Sequence, residues 1–333
     1  EIFTGRHKAI LAANQELILH YWSIGNIILR HQSAEGWGSK VIEKLAQDLA
    51  SEFPYMKGFS SRNLKYMRQI AETYSDFSFV QQAVAQIPWS HNLIIAERVK
   101  LAEERAWYIA KTIEYGWSRN VLVHQIETNL YERQSLAEKT TNFEKALPSP
   151  QSELAIETIK DPYIFDFITF REEMNEVDME KQLVQQVTKL LLEFGTGFAF
   201  VGNQVHLEVG EEDFYLDLLF YHTKLRCYVV IELKTGKFKP EYAGKLNFYL
   251  SAVDGQMKSE HDNPSIGIIL CKEKNRIVAE YALKDMTKPI GVSEYKLLQD
   301  IPTDLKSSLP SIEELEERLE NEIERSSGGC END

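Results

Sequence analysis

The segment from Asp213 to Thr235, DFYLDLLFYHTKLRCYVVIELKT, limits the fold of this chain more than any other part of the sequence. It contains two runs of aromatic, β-branched and other apolar residues, separated by a polar stretch at residues 222–226. Such runs on either side of a turn predict two adjacent antiparallel strands. The second half of the chain is therefore expected to be built around a β-sheet.

Three charged residues interrupt these apolar runs: Asp217, Glu232 and Lys234. Glu232 and Lys234 are two positions apart and so share one face of a strand, and a hairpin closed over residues 222–226 brings Asp217 close to that face. Unpaired charges are costly to bury, so the three groups need partners. Two carboxylates and an ammonium group at the end of a sheet are what a divalent metal and a phosphodiester require, which predicts a nuclease site. Spacing alone leaves open the alternative of a structural salt bridge at a sheet edge.

Composition is that of an ordinary globular protein, with 333 residues, 43% hydrophobic and 26% charged. The length is sufficient for two domains. No apolar run reaches the roughly 18 residues that span a bilayer, and no signal segment opens the chain, so we expect no membrane partner. The three cysteines (Cys227, Cys271 and Cys330) form no CxxC pair. This pattern favours a cytoplasmic protein without a structural zinc site, and we expect no small-molecule cofactor.

The net charge of −14 is unevenly distributed along the chain. Residues 310–333 contain nine acidic and two basic residues, a balance of −7, which is half of the excess. The spacing of isoleucine and leucine there predicts an acidic C-terminal helix and tail over residues 306–333. Because this charge is local, it does not exclude a basic face elsewhere on the protein.

Residues 1–135 show helical periodicity nearly throughout and form the first predicted domain. A helix over about 39–53, a short turn and a second helix beginning near Ser60 predict a helix-turn-helix arrangement. Residues 54–70 contain four basic residues and no acidic one, and these are the candidate DNA-binding residues: Lys57, Arg62, Lys65 and Arg68. A solvated basic face is the alternative. Residues 136–155 lose periodicity and contain Pro-Ser-Pro, which predicts a linker before a second domain over residues 156–305.

The segment from DPYIFDF at 161 through GFAFVGNQVHLEVGEEDFYLDLLFYHTKLRCYVVIELKTGKFKPEYAGKLNFYL resembles the bacterial YhcG-type family of PD-(D/E)XK nucleases. The helical first half resembles the N-terminal domain of that family. The resemblance implies an α+β protein overall: an all-helical, winged-helix or helix-turn-helix-like DNA-binding domain, followed by an α/β restriction-endonuclease-like domain. At the position of the superfamily's PD dipeptide, this chain has Leu216-Asp217. The missing proline matters little for the chemistry, because the aspartate carboxylate is the metal ligand in this pattern.

Carried over to this sequence, the family pattern implies that Asp217, Glu232 and the carbonyl of Leu233 hold Mg²⁺ or Mn²⁺. Lys234 would orient or activate the attacking water and offset charge in the transition state. A helix glutamate completes the pattern, and Glu180 is preferred to Glu193, although either residue can be a solvated helix position. Gln204 is a weaker candidate for the same site.

The helix that begins at Pro240 contributes three more candidates for DNA contacts: Lys239, Lys245 and Tyr249. Lys245 and Tyr249 are four residues apart and share a helix face, which is equally compatible with a packed amphipathic helix. The resulting hypothesis is a Mg²⁺-dependent DNA endonuclease, acting as a homodimer in bacterial genome defence or restriction-like processing. The alternatives are a structure-selective nuclease acting on branched or repair DNA, and a non-catalytic DNA-binding protein with a nuclease scaffold.

Overall fold

The computed structural model of the protein describes residues 2–35, 39–55, 57–169 and 175–297. The chain divides into two compact units, residues 1–126 and residues 127–333. The acidic helix predicted over residues 306–333 lies outside the described residues. No helix in the described part of the chain is long and apolar enough to cross a membrane.

The first unit is helical, as the sequence predicts. Its α-helices are α1 (Ile2–Glu35), α2 (Ser39–Glu52), α3 (Ser61–Thr73), α4 (Phe77–Gln82), α5 (Trp89–Arg98), α6 (Ala102–Tyr115) and α7 (Arg119–Glu127), with a short 3₁₀ turn at Val84–Gln86. A winged helix also needs a β-hairpin, and the described residues of this unit include no strand. The structure of these residues therefore supplies helices but no wing.

Helix α3 packs closely against α1. Ser60 caps α3 by accepting a hydrogen bond from the backbone of Asn63, as a residue at this position does in many helices. The buried face of α3 includes Leu64 and Met67, which join a core with residues of α1 and α2. Gly25 of α1 makes the close approach possible, because a Cβ atom there would lie 2.1 Å from the carbonyl oxygen of Met67.

We expect Gly25→Ala to destabilise the first unit by about 1–3 kcal/mol, the usual cost of overpacking a core. Gly255→Ala is the matched control, because that glycine lies in a helix and an added Cβ meets nothing within 4 Å. The control should leave stability unchanged or raise it by up to about 1 kcal/mol. Thermal and urea unfolding measure both changes, and equal stability of Gly25→Ala and the parent would contradict the close packing of α1 on α3.

The second unit combines a mixed sheet with flanking helices. In chain order it contains a π-helical turn at Glu132–Leu136, then β1 (Thr140–Thr141), α8 (Phe143–Ala146), α9 (Gln151–Thr158), β2 (Tyr163–Phe165), α10 (Glu176–Gln185), α11 (Val187–Phe194), β3 (Phe198–Val209), β4 (Glu212–His222), β5 (Cys227–Lys237), α12 (Pro240–Gln256), β6 (Ile266–Glu273), α13 (Arg276–Leu283) and β7 (Ile290–Leu297). The predicted strand pair is confirmed as β4 and β5.

The strand order is β1-β7-β6-β5-β4-β3, with β2 attached to β7. Strands β3, β4 and β5 are antiparallel neighbours, and β5, β6 and β7 run parallel. Two separate apolar cores include side chains of this sheet: one contains residues of α10 and α11, and the other contains residues of α12 and α13. Strand β5 contributes to both cores and is paired on both edges. The backbone that carries its polar residues is therefore held in place.

The linker predicted over residues 136–155 is corrected by the structure, because this segment belongs to the second unit. Thr140 and Thr141 pair with β7, and Phe143 and Ala155 are fully buried in the core. The Pro-Ser-Pro sequence lies in a turn between two short helices, α8 and α9. Elements this short show no clear periodicity. The boundary between the units falls at residues 126 and 127, ahead of the predicted residue 135.

Candidate active site

The site forms where β4 and β5 separate. The regular pairing of the two strands ends at Leu218 and Ile231. One residue further, the carboxylate of Asp217 accepts a hydrogen bond of 2.8 Å from the backbone N–H of Leu233. The carboxylate of Asp217 on β4 thus accepts from a backbone N–H of β5, in place of a backbone carbonyl of β4. This bond fixes Asp217 beside Glu232 and Lys234, so the structure brings together the three charged residues of the strand pair.

Glu232 is the most buried of these groups, with 0% of its surface exposed. Its Oε1 atom lies 3.0 Å from the Nζ atom of Lys234 and 2.6 Å from that of Lys245. Its Oε2 atom is also buried but has no hydrogen-bond partner among the described residues. Because an unsatisfied buried carboxylate oxygen is costly, this atom needs a further partner such as a cation.

Lys234 is held from several sides. Its Nζ atom lies 2.7 Å from the carboxylate of Glu176, donates to the carbonyl of Leu233 at 2.8 Å, and lies 5.2 Å from the centre of the Tyr242 ring. Burial lowers the pKa of Lys234, but the bonds to Glu176 and Glu232 outweigh it, so the net pKa is raised. The ammonium group is therefore charged and fixed in the site.

The pKa of Asp217 shows that the negative charges of the site are not fully balanced. Burial is the larger cause that raises its pKa, the negative charge of Glu232 is the second, and together they bring it to about 7. The hydrogen bond from Leu233 and the charges of Lys234 and Lys245 oppose the shift. The two lysines therefore compensate the carboxylate pair incompletely, which is the situation that a bound cation relieves.

The donor set suits a magnesium ion. In the described part of the chain, no three histidine, cysteine, aspartate or glutamate side chains are grouped as metal ligands. A metal here would be held by Asp217, Glu232 and the carbonyl of Leu233, with water completing its shell. Mg²⁺ is commonly bound in this way, by one or two carboxylates and several waters. The unpartnered oxygen of Glu232 is the observation that supports this fit.

Helix α10 places a different glutamate against the site from the one that the sequence favours. Glu176 contacts Lys234, whereas the hydrogen bonds of Glu180 are with the side-chain amides of Asn203, at 2.8 Å, and Gln204. Glu180 and Glu176 are four residues apart and lie on one helix face. That spacing was the only signal in the sequence that could have identified Glu176.

Glu193 is a structural residue, in keeping with the preference for Glu180. It is buried, lies 2.6 Å from Arg133 and 3.8 Å from Lys160, and accepts the backbone N–H of Ile164 at 2.9 Å. Burial alone would raise its pKa, but Arg133 and Lys160 lower it below the ordinary value. This cluster ties the turn at Glu132–Leu136 to α11 inside the second unit.

We expect Glu193→Gln to destabilise the protein by about 3–5 kcal/mol, because the change leaves buried cations without their counter-charge. Glu280→Gln, which removes an exposed pair with Arg276, is the control and should cost at most about 1 kcal/mol. Since the folded pKa of Glu193 is depressed, its contribution is complete above the unfolded pKa of about 4.3 and is lost as the pH falls through the lower folded value. Urea unfolding at several pH values should show a smaller acid loss in Glu193→Gln. A variant as stable as the control would contradict the role of the cluster.

Of the three candidates at α12, which are its N-cap Lys239 and the helix residues Lys245 and Tyr249, only Lys245 is described in a salt bridge with Glu232. Lys245 reaches Glu232, and the bonds to this carboxylate outweigh burial and raise the pKa of Lys245. Lys239 is exposed beside Glu241, at 3.9 Å. Tyr249 is corrected as a DNA-contacting residue: only 4% of its surface is exposed, and its ring packs against Phe214 in the core. Its described contact with the site is the Nζ atom of Lys245, 5.1 Å from its ring centre.

Arg62 and Lys65 lie on the exposed side of α3, whereas Arg68 is half-buried and bonds to Gln32 of α1 at 3.3 Å. Arg62 is exposed and bonds to the hydroxyl of Tyr66, Lys65 lies 3.5 Å from Glu43, and Arg68 lies 3.8 Å from Glu72. Lys57 is exposed in the turn before the helix. Exposed pairs of this kind contribute little free energy, so they can be exchanged for other anions.

The mixed sheet, with Asp217, Glu232 and Lys234 gathered where two of its strands separate, is the arrangement of a PD-(D/E)XK nuclease domain. Residues 156–310 match the family model described as "YhcG PDDEXK nuclease domain", and residues 1–133 match the one described as "DUF1016 N-terminal domain". The chain is 31% identical over 327 residues to the Escherichia coli (strain K12) protein named "Putative nuclease YhcG", covering 88% of this chain and 87% of that protein. The chain belongs to the YhcG family of PD-(D/E)XK nucleases.

Solved structures show a more distant likeness. A structure titled "crystal structure of a repair endonuclease from Pyrococcus abyssi" is 15% identical, with a TM-score of 0.26, over 40% of this chain and 50% of that one. One titled "Structure of EndoMS-dsDNA2 complex" is 16% identical, with a TM-score of 0.27, over 40% and 50% of the two chains. The likeness spans about half the length of those proteins, and at these TM-scores it carries no functional weight.

Proposed function

We propose that this protein is a metal-dependent DNA endonuclease that cuts phosphodiester bonds at the site between β4 and β5. The observation that carries the proposal is the state of Glu232, which is fully buried and shares one oxygen between two lysines, while its other oxygen has no partner among the described residues. If Glu232 only formed a structural salt bridge, we would expect both of its carboxylate oxygens to have partners, because burying charge without full compensation is unfavourable. Asp217 beside it supplies the second carboxylate that a divalent ion needs.

Each residue of the site then has a defined task. Asp217, Glu232 and the Leu233 carbonyl would hold Mg²⁺ or Mn²⁺, and the ion supplies charge stabilisation and a more acidic water. Lys234 orients the attacking water and stabilises the charge that develops on the phosphate, since its ammonium group is already fixed by Glu176 and Glu232. The fixed geometry means that little reorganisation is needed during the reaction.

Lys245 is positioned to contact the substrate. Its side chain is 44% exposed, whereas Glu232 is fully buried, so the ammonium group lies between the carboxylate and solvent. When a metal ion binds Glu232, the ammonium group of Lys245 can pair with a phosphate of the nucleic acid in place of Glu232. Lysine suits this exchange because it binds phosphate as a point charge on a flexible stem.

DNA is proposed as the substrate because the first unit provides a basic surface that does not depend on the catalytic site. The turn between α2 and α3 presents Lys57, and α3 presents Arg62, Lys65 and Arg68. Helix α3 is proposed as the recognition helix of a helix-turn-helix. Paired cuts in duplex DNA favour a homodimer. The proposed setting is the bacterial cytoplasm, in genome defence or restriction-like processing, and the free, buried Cys227 and Cys271 agree with a reducing compartment.

Replacing the proposed metal ligands should remove activity together with metal binding. Asp217→Asn and Glu232→Gln should reduce DNA cleavage to background and weaken Mn²⁺ binding measured by calorimetry. Lys234→Ala should keep most of the metal affinity but slow cleavage by about 10²–10³-fold, the usual effect of losing one charge-stabilising group. Plasmid, branched DNA and RNA, each with Mg²⁺, Mn²⁺ or EDTA, identify the substrate.

The matched control is Lys237→Ala on the same strand, because this exposed lysine pairs with Glu273 and not with the site. It should cut like the parent. Activity in EDTA, or undiminished cleavage by Asp217→Asn and Glu232→Gln, would show that the chemistry lies elsewhere.

The basic face of α3 should affect binding without affecting chemistry. In the Glu232→Gln background, which prevents cutting, Arg62→Ala with Lys65→Ala should weaken DNA binding. Each lost phosphate contact should reduce the slope of log K against log salt by about 0.9 for duplex DNA. Lys100→Ala, an exposed lysine outside this face, is the control. An unchanged slope in the double variant means that another surface binds DNA.

A further inference from the structure

An irregular residue of β3 lies directly across from the proposed metal ligand Asp217. Gln204 has a φ of 46°, in the left-handed region that residues other than glycine rarely adopt. On either side of it the pairing of β3 with β4 is regular, with Asn203 opposite Leu218 and Val205 opposite Leu216. Between these two pairs, the residue of β4 that faces Gln204 is Asp217.

Glu180 holds this irregular position in place. Only 4% of the surface of Glu180 is exposed, and both of its carboxylate oxygens are used: Oε1 accepts from Asn203 at 2.8 Å, and Oε2 accepts from Gln204. A strained backbone conformation persists only where its surroundings fix it. A buried carboxylate, in turn, needs donors. The bonds from Asn203 and Gln204 meet both needs, because they satisfy the carboxylate of Glu180 and hold the left-handed residue of β3 in place.

The left-handed backbone at Gln204 connects to the metal ligands through Asp217. Local irregularities in an antiparallel strand can re-aim the side chains next to them. Here the pairing of β4 with β5 ends beside Asp217, and the Asp217 carboxylate turns to the backbone N–H of Leu233. A shift of Gln204 would therefore move Asp217 relative to Glu232 and the carbonyl of Leu233.

We propose that Glu180 and Gln204 are positioning residues, which fix the left-handed backbone of β3 at Gln204 and thereby aim the carboxylate of Asp217 at the metal. This inference rests on the proposed function. It assigns Glu180 a role different from that of a metal ligand: Glu180 acts through the amide of Gln204. The described geometry supports this, since Glu180, Asp217 and Glu232 do not form a three-carboxylate group in the part of the chain that the structure describes.

Exchanging the two side chains distinguishes positioning from ligation. In Glu180→Gln, the introduced amide still accepts from Asn203 and can pair with the amide of Gln204 once that amide flips, so Mn²⁺ affinity should stay near that of the parent. In Gln204→Glu, two carboxylates face each other, and Mn²⁺ affinity should fall by about 10–100-fold, as when an outer partner of a metal ligand is lost. The double exchange restores an amide against a carboxylate and should recover most of the affinity.

Calorimetry with Mn²⁺, kcat and KM for DNA, and thermal unfolding should be measured on all three variants. The exposed Gln185→Glu on α10 is the control for added charge. Affinity and kcat should follow the pattern above with little change in KM, because DNA contacts remain. If Glu180→Gln loses metal affinity and the double exchange does not restore it, Glu180 is a ligand and the proposal is wrong. A pattern seen only in thermal stability also overturns it. A parent that neither binds metal nor cuts DNA overturns the proposed function itself.

Discussion

The hydrogen bond from the backbone of Leu233 to the carboxylate of Asp217 is the interaction on which the site depends. It forms where the regular pairing of β4 and β5 ends. There the side chain of Asp217, and not a backbone carbonyl of β4, accepts from the backbone of the central strand β5. That replacement brings a second carboxylate next to the buried Glu232. The raised pKa of Asp217, due to burial and to Glu232, reflects the free-energy cost of this arrangement. Such a cost is typical of functional sites, and this chain belongs to a nuclease family.

The strands of the candidate site were predictable because they carry charged residues within apolar runs. Asp217, Glu232 and Lys234 stand out in the sequence as charges within apolar runs, and a two-residue period places them on a strand face. The antiparallel pair itself follows from composition and from the turn between its strands. The first unit was predicted as helical for the same kind of reason, since its apolar residues recur at helical spacing.

Other features depended on contacts that spacing does not determine. The four-residue interval between Lys245 and Tyr249 shows that they share a helix face, but it does not show that Tyr249 is buried against Phe214. Similarly, residues 136–155 have a linker-like composition and yet pack into the sheet. Glu176 is one of two glutamates on α10, and its contact with Lys234 is set by the tertiary structure. The left-handed backbone of Gln204 has no signal in the sequence, because glycine is the residue that such a position predicts.

The central claim is that Asp217, Glu232 and the Leu233 carbonyl hold a divalent metal ion, with Lys234 beside it. The most direct measurement is a crystal structure of the protein soaked in Mn²⁺, with anomalous diffraction to locate the ion. The account predicts an anomalous peak in contact with both carboxylates. The Oε2 atom of Glu232, which has no partner in the part of the chain that the structure describes, should be among the ligands. A well-ordered site without a peak, in which Lys234 and Lys245 remain the sole partners of Glu232, would contradict it.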